Sequence, residues 1–152
     1  GIPQIYYGTE VLLDNTGFHK NDGLIRADFP GGWKEDAVNA FKGIGLTADQ
    51  KSMQAYLKQL LNWRKNNPVI ATGQTMHFAP FDGVYVYFRY NAEKTIMVVM
   101  NRNETDSKID MKRFAEIIGQ KTKVENALTG EAISGLSNLT VKGKTVSIFN
   151  VN

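Results

Sequence analysis

Cysteine is absent from the 152 residues, so a disulfide framework, a cysteine zinc cluster and a thiol nucleophile are all excluded. The compartment stays open, because oxidising environments permit disulfides without requiring them. Histidine is scarce. His19 and His77 stand alone, neither in a metal-ligand spacing such as His-x-x-x-His, so both read as ordinary loop or sheet residues and no metal or cofactor is expected. Long apolar runs are missing: no stretch reaches transmembrane length and nothing resembles a signal peptide, so no membrane partner is expected. Charge of one sign is not concentrated either. Lys and Arg number 18 against 15 Asp and Glu, a net charge of +3, and the basic residues are spread along the chain without the run that binds nucleic acid. An initiator methionine is lacking, so the missing leader carries no information on localisation.

What is present begins with 42% hydrophobic residues, enough for a packed core and too many for a disordered chain. The opening Gly1-Ile2-Pro3-Gln4-Ile5-Tyr6-Tyr7-Gly8-Thr9-Glu10 reads as a strand over Pro3 to Tyr7 and a turn. A strand edge exposed from the first residue is an aggregation liability, so an upstream partner and a longer parent protein are expected.

The organisation changes near Pro68. Before it, residues 14 to 36 carry Gly17, Gly23, Pro30, Gly31 and Gly32, an irregular excursion of a length that is usually functional. Thr47 and Gln50 form a capping box. Met53, Tyr56, Leu57, Leu60, Leu61 and Arg64 follow at helical spacing until Asn66, Asn67 and Pro68, which predicts an amphipathic helix packed on one face. After Pro68, strands are expected over Gly73 to Phe81, Val84 to Tyr90, Thr95 to Asn101, Lys121 to Ala127 and Thr145 to Val151. Turns fall at Asp82-Gly83, Asn91-Ala92 and Thr129-Gly130, and a short helix over Met111 to Ile118 is capped by Asp110. Val84, Val86 and Phe88 share one face and Tyr85, Tyr87 and Arg89 the other, while Ile96 to Met100 is apolar on both, as in a central strand. The expected fold is α+β, with a first part over 1–70 and a compact antiparallel β-sandwich over 71–152.

The chemistry concentrates in Asp22-Gly23-Leu24-Ile25-Arg26-Ala27-Asp28-Phe29-Pro30-Gly31-Gly32-Trp33. A carboxylate accepts and a guanidinium donates hydrogen bonds to adjacent sugar hydroxyls, and an aromatic face covers the apolar side of a pyranose. From residue types alone, an Asp22 to Arg26 ion pair that pins the loop accounts for the two charges more simply.

The opening decapeptide resembles the segment around the eighth barrel strand of the alpha-amylase family of glycoside hydrolases. Arg26-Ala27-Asp28-Phe29-Pro30-Gly31-Gly32-Trp33 resembles its neopullulanase and cyclomaltodextrinase branch, and the likeness continues through Leu60-Leu61-Asn62-Trp63-Arg64-Lys65, Asn67-Pro68-Val69-Ile70 and Gly73. The resemblance implies the last β/α unit of a (β/α)8 TIM barrel over 1–70, followed by the C-terminal β-sandwich domain over 71–152. It implies a parent that cleaves α-glucosidic bonds in starch, pullulan or cyclodextrins by a retaining mechanism, with an α-glucan oligosaccharide or polysaccharide as partner. The catalytic Asp, Glu and Asp of the family lie on barrel strands not present here, so no catalytic residue is expected in this chain and the chain alone is expected to be inactive. Asp22 and Arg26 match the aspartate and arginine that hold glucose units beyond the cleavage point, at the strand-end mouth of the barrel. The family often places proline and asparagine around that aspartate, whereas this chain has Asn21-Asp22-Gly23-Leu24, which leaves Asp28 as the other contacting carboxylate. The reading from a different class is an independently folding carbohydrate-binding or structural accessory module without catalysis.

Other residues read as structural. Trp33 and Phe29 are expected to anchor the loop, Glu10 to order its own loop through hydrogen bonds, and Asp14-Asn15-Thr16-Gly17 to form a turn rather than a calcium loop. Tyr85, Tyr87 and Tyr90 could form a starch platform, though aromatic residues also pack well across strands. Asn103-Glu104-Thr105 and Asn138-Leu139-Thr140 satisfy the glycosylation triplet, which matters only in a secreted eukaryotic chain.

Overall fold

A computed structural model describes residues 3–14, 20–133, 136 and 139–152. The chain divides into two compact units, 1–62 and 63–152.

In the first unit, residues 3–7 join no ladder, contrary to the strand expected over Pro3 to Tyr7. A strand exists only where a second one takes its N–H and C=O groups, and no described segment lies alongside to do so. The chain turns instead at Gly8, whose φ of 85° and position 2.6 Å from the Leu13 Cβ (measured from an added Cβ) admit glycine alone. Its carbonyl accepts from the amides of Val11 and Leu13. Val11, Ala40 and Leu46 form a small buried cluster, against which Phe29 and Val38 pack.

Helix α1, Asp22–Ile25, is a single turn inside what the sequence presents as irregular loop. Helix α2, Ala48–Lys65, starts at the expected capping box: the Gln50 amide donates to Thr47 Oγ1 at 3.2 Å, and the Thr47 amide donates to Gln50 Oε1 at 2.9 Å. Its apolar stripe is present, but none of its residues is buried, and Tyr56 and Leu61 stay exposed. Packing on one face is therefore only partial.

In the second unit, α3, Val69–Thr72, leads into β1, Gln74–His77, β2, Val84–Tyr90, and β3, Thr95–Asn101. A two-residue β4, Ser107–Lys108, precedes a 3-10 turn at Met111–Phe114 and α4, Ala115–Ile118. Strands β5, Val124–Asn126, β6, Ala132–Ile133, β7, Thr140–Val141, and β8, Thr145–Val151, complete the unit. Six strands form one antiparallel sheet in the order β1-β2-β3-β8-β5-β6, and β4 pairs with β7 in a second. The Asp110 carboxylate accepts from the Lys112 amide at 3.0 Å, the expected cap.

The period of two decides which side chains meet. Val84, Val86 and Phe88 face inward with Met97, Val99, Phe149 and Val151, and Phe114, Leu139 and Val141 close the core from the other side. Ile96 and Val98, on the opposite face of β3, are covered by Val69, with Trp63, Ile70, Tyr87 and Ile148 around them. The central strand is thus apolar on both faces because both are covered.

One polar side chain sits in this core. Asn101 is 3% exposed, and its Nδ2 donates to the carbonyls of Thr105, Val141 and Lys142 at 3.1–3.2 Å while its Oδ1 accepts from the Asn103 amide. It ties the end of β3 to the loop after it and to the end of β7. Asn101→Leu leaves those carbonyls without a donor where water has little access, and is expected to cost about 2–4 kcal/mol. Urea unfolding measures it, and a loss below about 1 kcal/mol would show that water replaces the amide.

Candidate functional site

Asp22 opens α1, and one helical turn brings Arg26 back beside it, with Nη2 3.6 Å from Oδ2. Both side chains are exposed, by 79% and 64% respectively, so the pair is available to a ligand and contributes little to stability by itself. An ion pair exists, and its polar atoms still face solvent.

The rest of the loop is held by its own backbone and carboxylates. Tyr7 Oη donates to the Ala27 carbonyl at 2.9 Å, fixing the residue after Arg26. Asp36 Oδ2 accepts from the amides of Gly31 and Trp33 at 2.8 and 3.1 Å, and the Ala40 amide donates to the Pro30 carbonyl at 3.0 Å. Partial desolvation raises the Tyr7 hydroxyl above its ordinary value; Tyr6 and Asp28 push it the same way, and Arg26 opposes them. Tyr7 is protonated at neutral pH even at the ordinary tyrosine value and so donates, with Asp28 and Arg26 both within its electrostatic reach.

Asp28 is committed differently from Asp22. Its Oδ2 accepts from the Trp33 indole Nε1 at 3.0 Å, which sets the orientation of the ring. Trp33 is 64% exposed, so it does not anchor the loop as expected. Phe29 does: it is half-buried against Val11, Ala40 and Leu46, with the Phe41 ring 5.2 Å away. The two aromatic residues of the motif thus divide the roles of anchor and exposed face. An indole N–H satisfied at its edge keeps the ring in place without burying it.

Glu10 lies in the 3-10 turn Thr9–Val11 and lines a shallow apolar groove of about 340 Å³ with Tyr6, Tyr7, Leu57 and Leu61. At this turn the Gly8 carbonyl accepts from the Val11 and Leu13 amides and the Thr9 carbonyl from the Leu12 amide; among the described residues these backbone bonds, and none from the Glu10 carboxylate, order the turn. His77 is exposed on β1, with the Tyr85 ring 6.4 Å away. His19 and the turn at residues 15–17 lie outside the described residues, as does Asn138 of the second glycosylation triplet. Asn103 of the first is engaged, donating to the Asp82 carbonyl and to Ser107 Oγ.

The tyrosine platform divides along the pleat. Tyr85 and Tyr87 share the outer face, their ring centroids 5.9 Å apart, but Tyr90 packs with the inner core and Tyr87 with the cluster around Val69. Burial, with Tyr85 adding to it, raises the Tyr87 hydroxyl above its ordinary value. A flat three-ring surface is not formed, because residues 87 and 90 are separated by an odd number of positions.

A family model described as the cyclo-malto-dextrinase C-terminal domain matches residues 75–150. A cyclomaltodextrin glucanotransferase of Niallia circulans is 31% identical over 138 residues, covering 91% of this chain and 16% of that protein. Another, from Bacillus sp. (strain 17-1), is 32% identical over 155 aligned positions, covering 99% of this chain and 18% of that protein. The chain spans less than a fifth of the length of these relatives. Among solved structures, the alpha-amylase of Geobacillus thermoleovorans complexed with acarbose superposes with a TM-score of 0.67 at 17% identity, over 100% of this chain and 30% of its own. AmyP in complex with maltose gives 0.63 at 15% identity, over 76% of this chain and 23% of its own. At these identities the likeness is one of fold.

Proposed function

Because the chain belongs to the family of cyclo-malto-dextrinase C-terminal domains, and with it to the C-terminal region of alpha-amylase family enzymes, we propose that it completes a retaining α-glucan hydrolase. In this reading, residues 1–70 are the last β/α unit of a (β/α)8 barrel and residues 71–152 its C-terminal β domain. The observation that supports it most is the reach of the relatives: cyclomaltodextrin glucanotransferases align over 91% and 99% of the chain, through the loop as well as the sheet. The partner is an α-glucan such as starch, pullulan or a cyclodextrin.

Asp22 and Arg26 hold the substrate. The carboxylate accepts from two neighbouring hydroxyls of a glucose unit and the guanidinium donates to the next, so that remote binding positions the bond to be cleaved. The i,i+4 pair orients both groups before the ligand arrives. Bond cleavage itself belongs to two carboxylates close enough to form and then hydrolyse a glycosyl intermediate, and these come from barrel strands outside this sequence.

Asp22→Asn and Arg26→Met in the barrel-complete enzyme test the assignment. Each removes a charge-assisted hydrogen bond of about 1.5–3 kcal/mol, so kcat/KM for maltoheptaose is expected to fall by about 10- to 100-fold. The double variant is expected to lose less than the sum, because the groups share one ligand. Unchanged kcat/KM in both single variants would return the pair to a loop-pinning role.

A further inference from the structure

We propose that the outer face of the β domain carries an oxyanion site, built from Arg64, Arg89 and the Tyr87 hydroxyl, which takes a phosphate or carboxylate group. All three residues lie within the unit 63–152, and all three are half-buried. The inference does not depend on the roles given to Asp22 and Arg26.

A strand and a helix end bring the three groups together. Tyr87 and Arg89 are two positions apart on β2, so the pleat sends both to the face that they share with Val98 and Ile96 of β3 and with Ile148 and Asn150 of β8. Arg64 comes from the last turn of α2, and its neighbour Trp63 packs against the same buried cluster around Val69 as Tyr87 does. Both guanidiniums favour the ionised form of the Tyr87 hydroxyl, while burial and Tyr85 outweigh them and keep it protonated. The phenol therefore donates at neutral pH.

Two cations are thus gathered at one half-buried hydroxyl without a counter-charge. Among the described residues neither guanidinium has a carboxylate within ion-pair distance. Glu125 lies beyond β8 and accepts from Asn150 Nδ2 at 2.7 Å, and Glu93 belongs to the turn after β2, its amide donating to Asn91 Oδ1. Lys65 follows Arg64 in sequence, Lys94 donates to Asn67 Oδ1, and His77 stands opposite Tyr87 on β1, so none of these adds negative charge. Arg89 donates through Nη1 to Thr75 Oγ1, while its Nε is closed off from water with no acceptor. An unpaired buried N–H and two like charges at one hydroxyl both cost free energy. An oxyanion offsets that cost, because its charge answers both guanidiniums and its oxygens accept from their outer N–H groups and from the phenol. A cation in the last turn of a helix also suits the helix dipole, which accounts for Arg64 alone and leaves Arg89 without a partner.

NMR titration of the ¹⁵N-labelled 152-residue chain with inorganic phosphate, and separately with acetate, tests the site at an ionic strength held constant with sodium chloride. The Nε–H resonances of Arg64 and Arg89 are expected to shift and saturate with at least one of the two anions; saturation by phosphate alone assigns a phosphate group, and by acetate alone a carboxylate. Arg64→Met is expected to weaken that binding by about 10-fold or more, Arg64→Lys by less because it keeps the charge and loses the fork, and Tyr87→Phe by about 3-fold. Arg113→Met, which removes a guanidinium elsewhere in the same unit, is expected to leave it unchanged. Arg64 makes no hydrogen bond among the described residues, so its variants are expected to hold the thermal midpoint and to report on the site rather than on folding. Two results overturn the proposal: no saturable shift of the folded chain with either anion, or saturation unaltered by both Arg64→Met and Arg89→Met, which would mean an adventitious ion only. Loss of turnover in a complete enzyme would bear on Asp22 and Arg26 and leave this site unaffected.

Discussion

Phe88→Ala is expected to destabilise the chain by about 3–5 kcal/mol, a large fraction of the roughly 5–15 kcal/mol that holds a domain together. Phe88 is fully buried on the inner face of β2. Its ring lies 5.9 Å from that of Phe78 and 5.7 Å from that of Phe114, and Phe78 and Phe114 meet each other edge to face at 4.8 Å. On the ladder it stands opposite Met97 of β3 and Met76 of β1. Truncation removes the transfer free energy of the ring and leaves a void between two hydrogen-bonded layers that cannot collapse to fill it. Phe81→Ala is the matched control, an exposed ring in the same segment, with an expected cost of about 0.5–1 kcal/mol from its contact with Arg113. Equal losses in the two variants, measured by urea unfolding, would mean that the aromatic cluster does not centre the core.

The elements legible in the sequence were those whose side chains repeat. Val84–Tyr90, Thr95–Asn101 and Thr145–Val151 form with the expected bounds, because each is seven residues long and flanked by turn-forming residues. The helix over Ala48–Lys65 is announced by Thr47 and Gln50, which make the reciprocal bonds their spacing implies. Ser107–Lys108, Ala132–Ile133 and Thr140–Val141 are too short to show a period, and only their partners make them strands. The expected strands Gly73 to Phe81 and Lys121 to Ala127 contract to Gln74–His77 and Val124–Asn126, the stretches that pair in register with Tyr87–Tyr90 and with Phe149–Val151. Met111 to Ile118 divides into a 3-10 turn and a helical turn rather than one helix.

The candidate site was legible in part for the same reason. Asp22 and Arg26 stand four residues apart, and a single helical turn makes that spacing a contact. The exposure of Trp33 was not legible, because it depends on Asp28 and Asp36 holding the ring and its backbone from three to five residues away. Nor was the group of Arg64, Tyr87 and Arg89. A helix and a strand supply it, and only the packing of Trp63 on the outer face of the sheet brings its members together. Asn101, a polar side chain in the core, reads in the sequence as the end of an apolar strand. Its three carbonyl partners lie 4, 40 and 41 residues along the chain.

The largest effect expected of this protein is all or none. Retaining hydrolysis needs a nucleophile and an acid/base about 5–5.5 Å apart, and on the proposed reading both belong to barrel strands outside this chain, while Asp22 and Arg26 supply binding alone. Binding without the reacting carboxylates lowers no barrier of its own. The decisive measurement is the release of reducing ends from maltoheptaose, β-cyclodextrin and pullulan, comparing the purified 152-residue chain with the same chain joined to the (β/α)8 barrel that the proposed reading requires. The account predicts no turnover by the chain alone, and turnover with retention of the α-anomer once the barrel is joined. Hydrolysis by the folded chain on its own, or a joined protein that binds α-glucan and never cleaves it, would contradict the account.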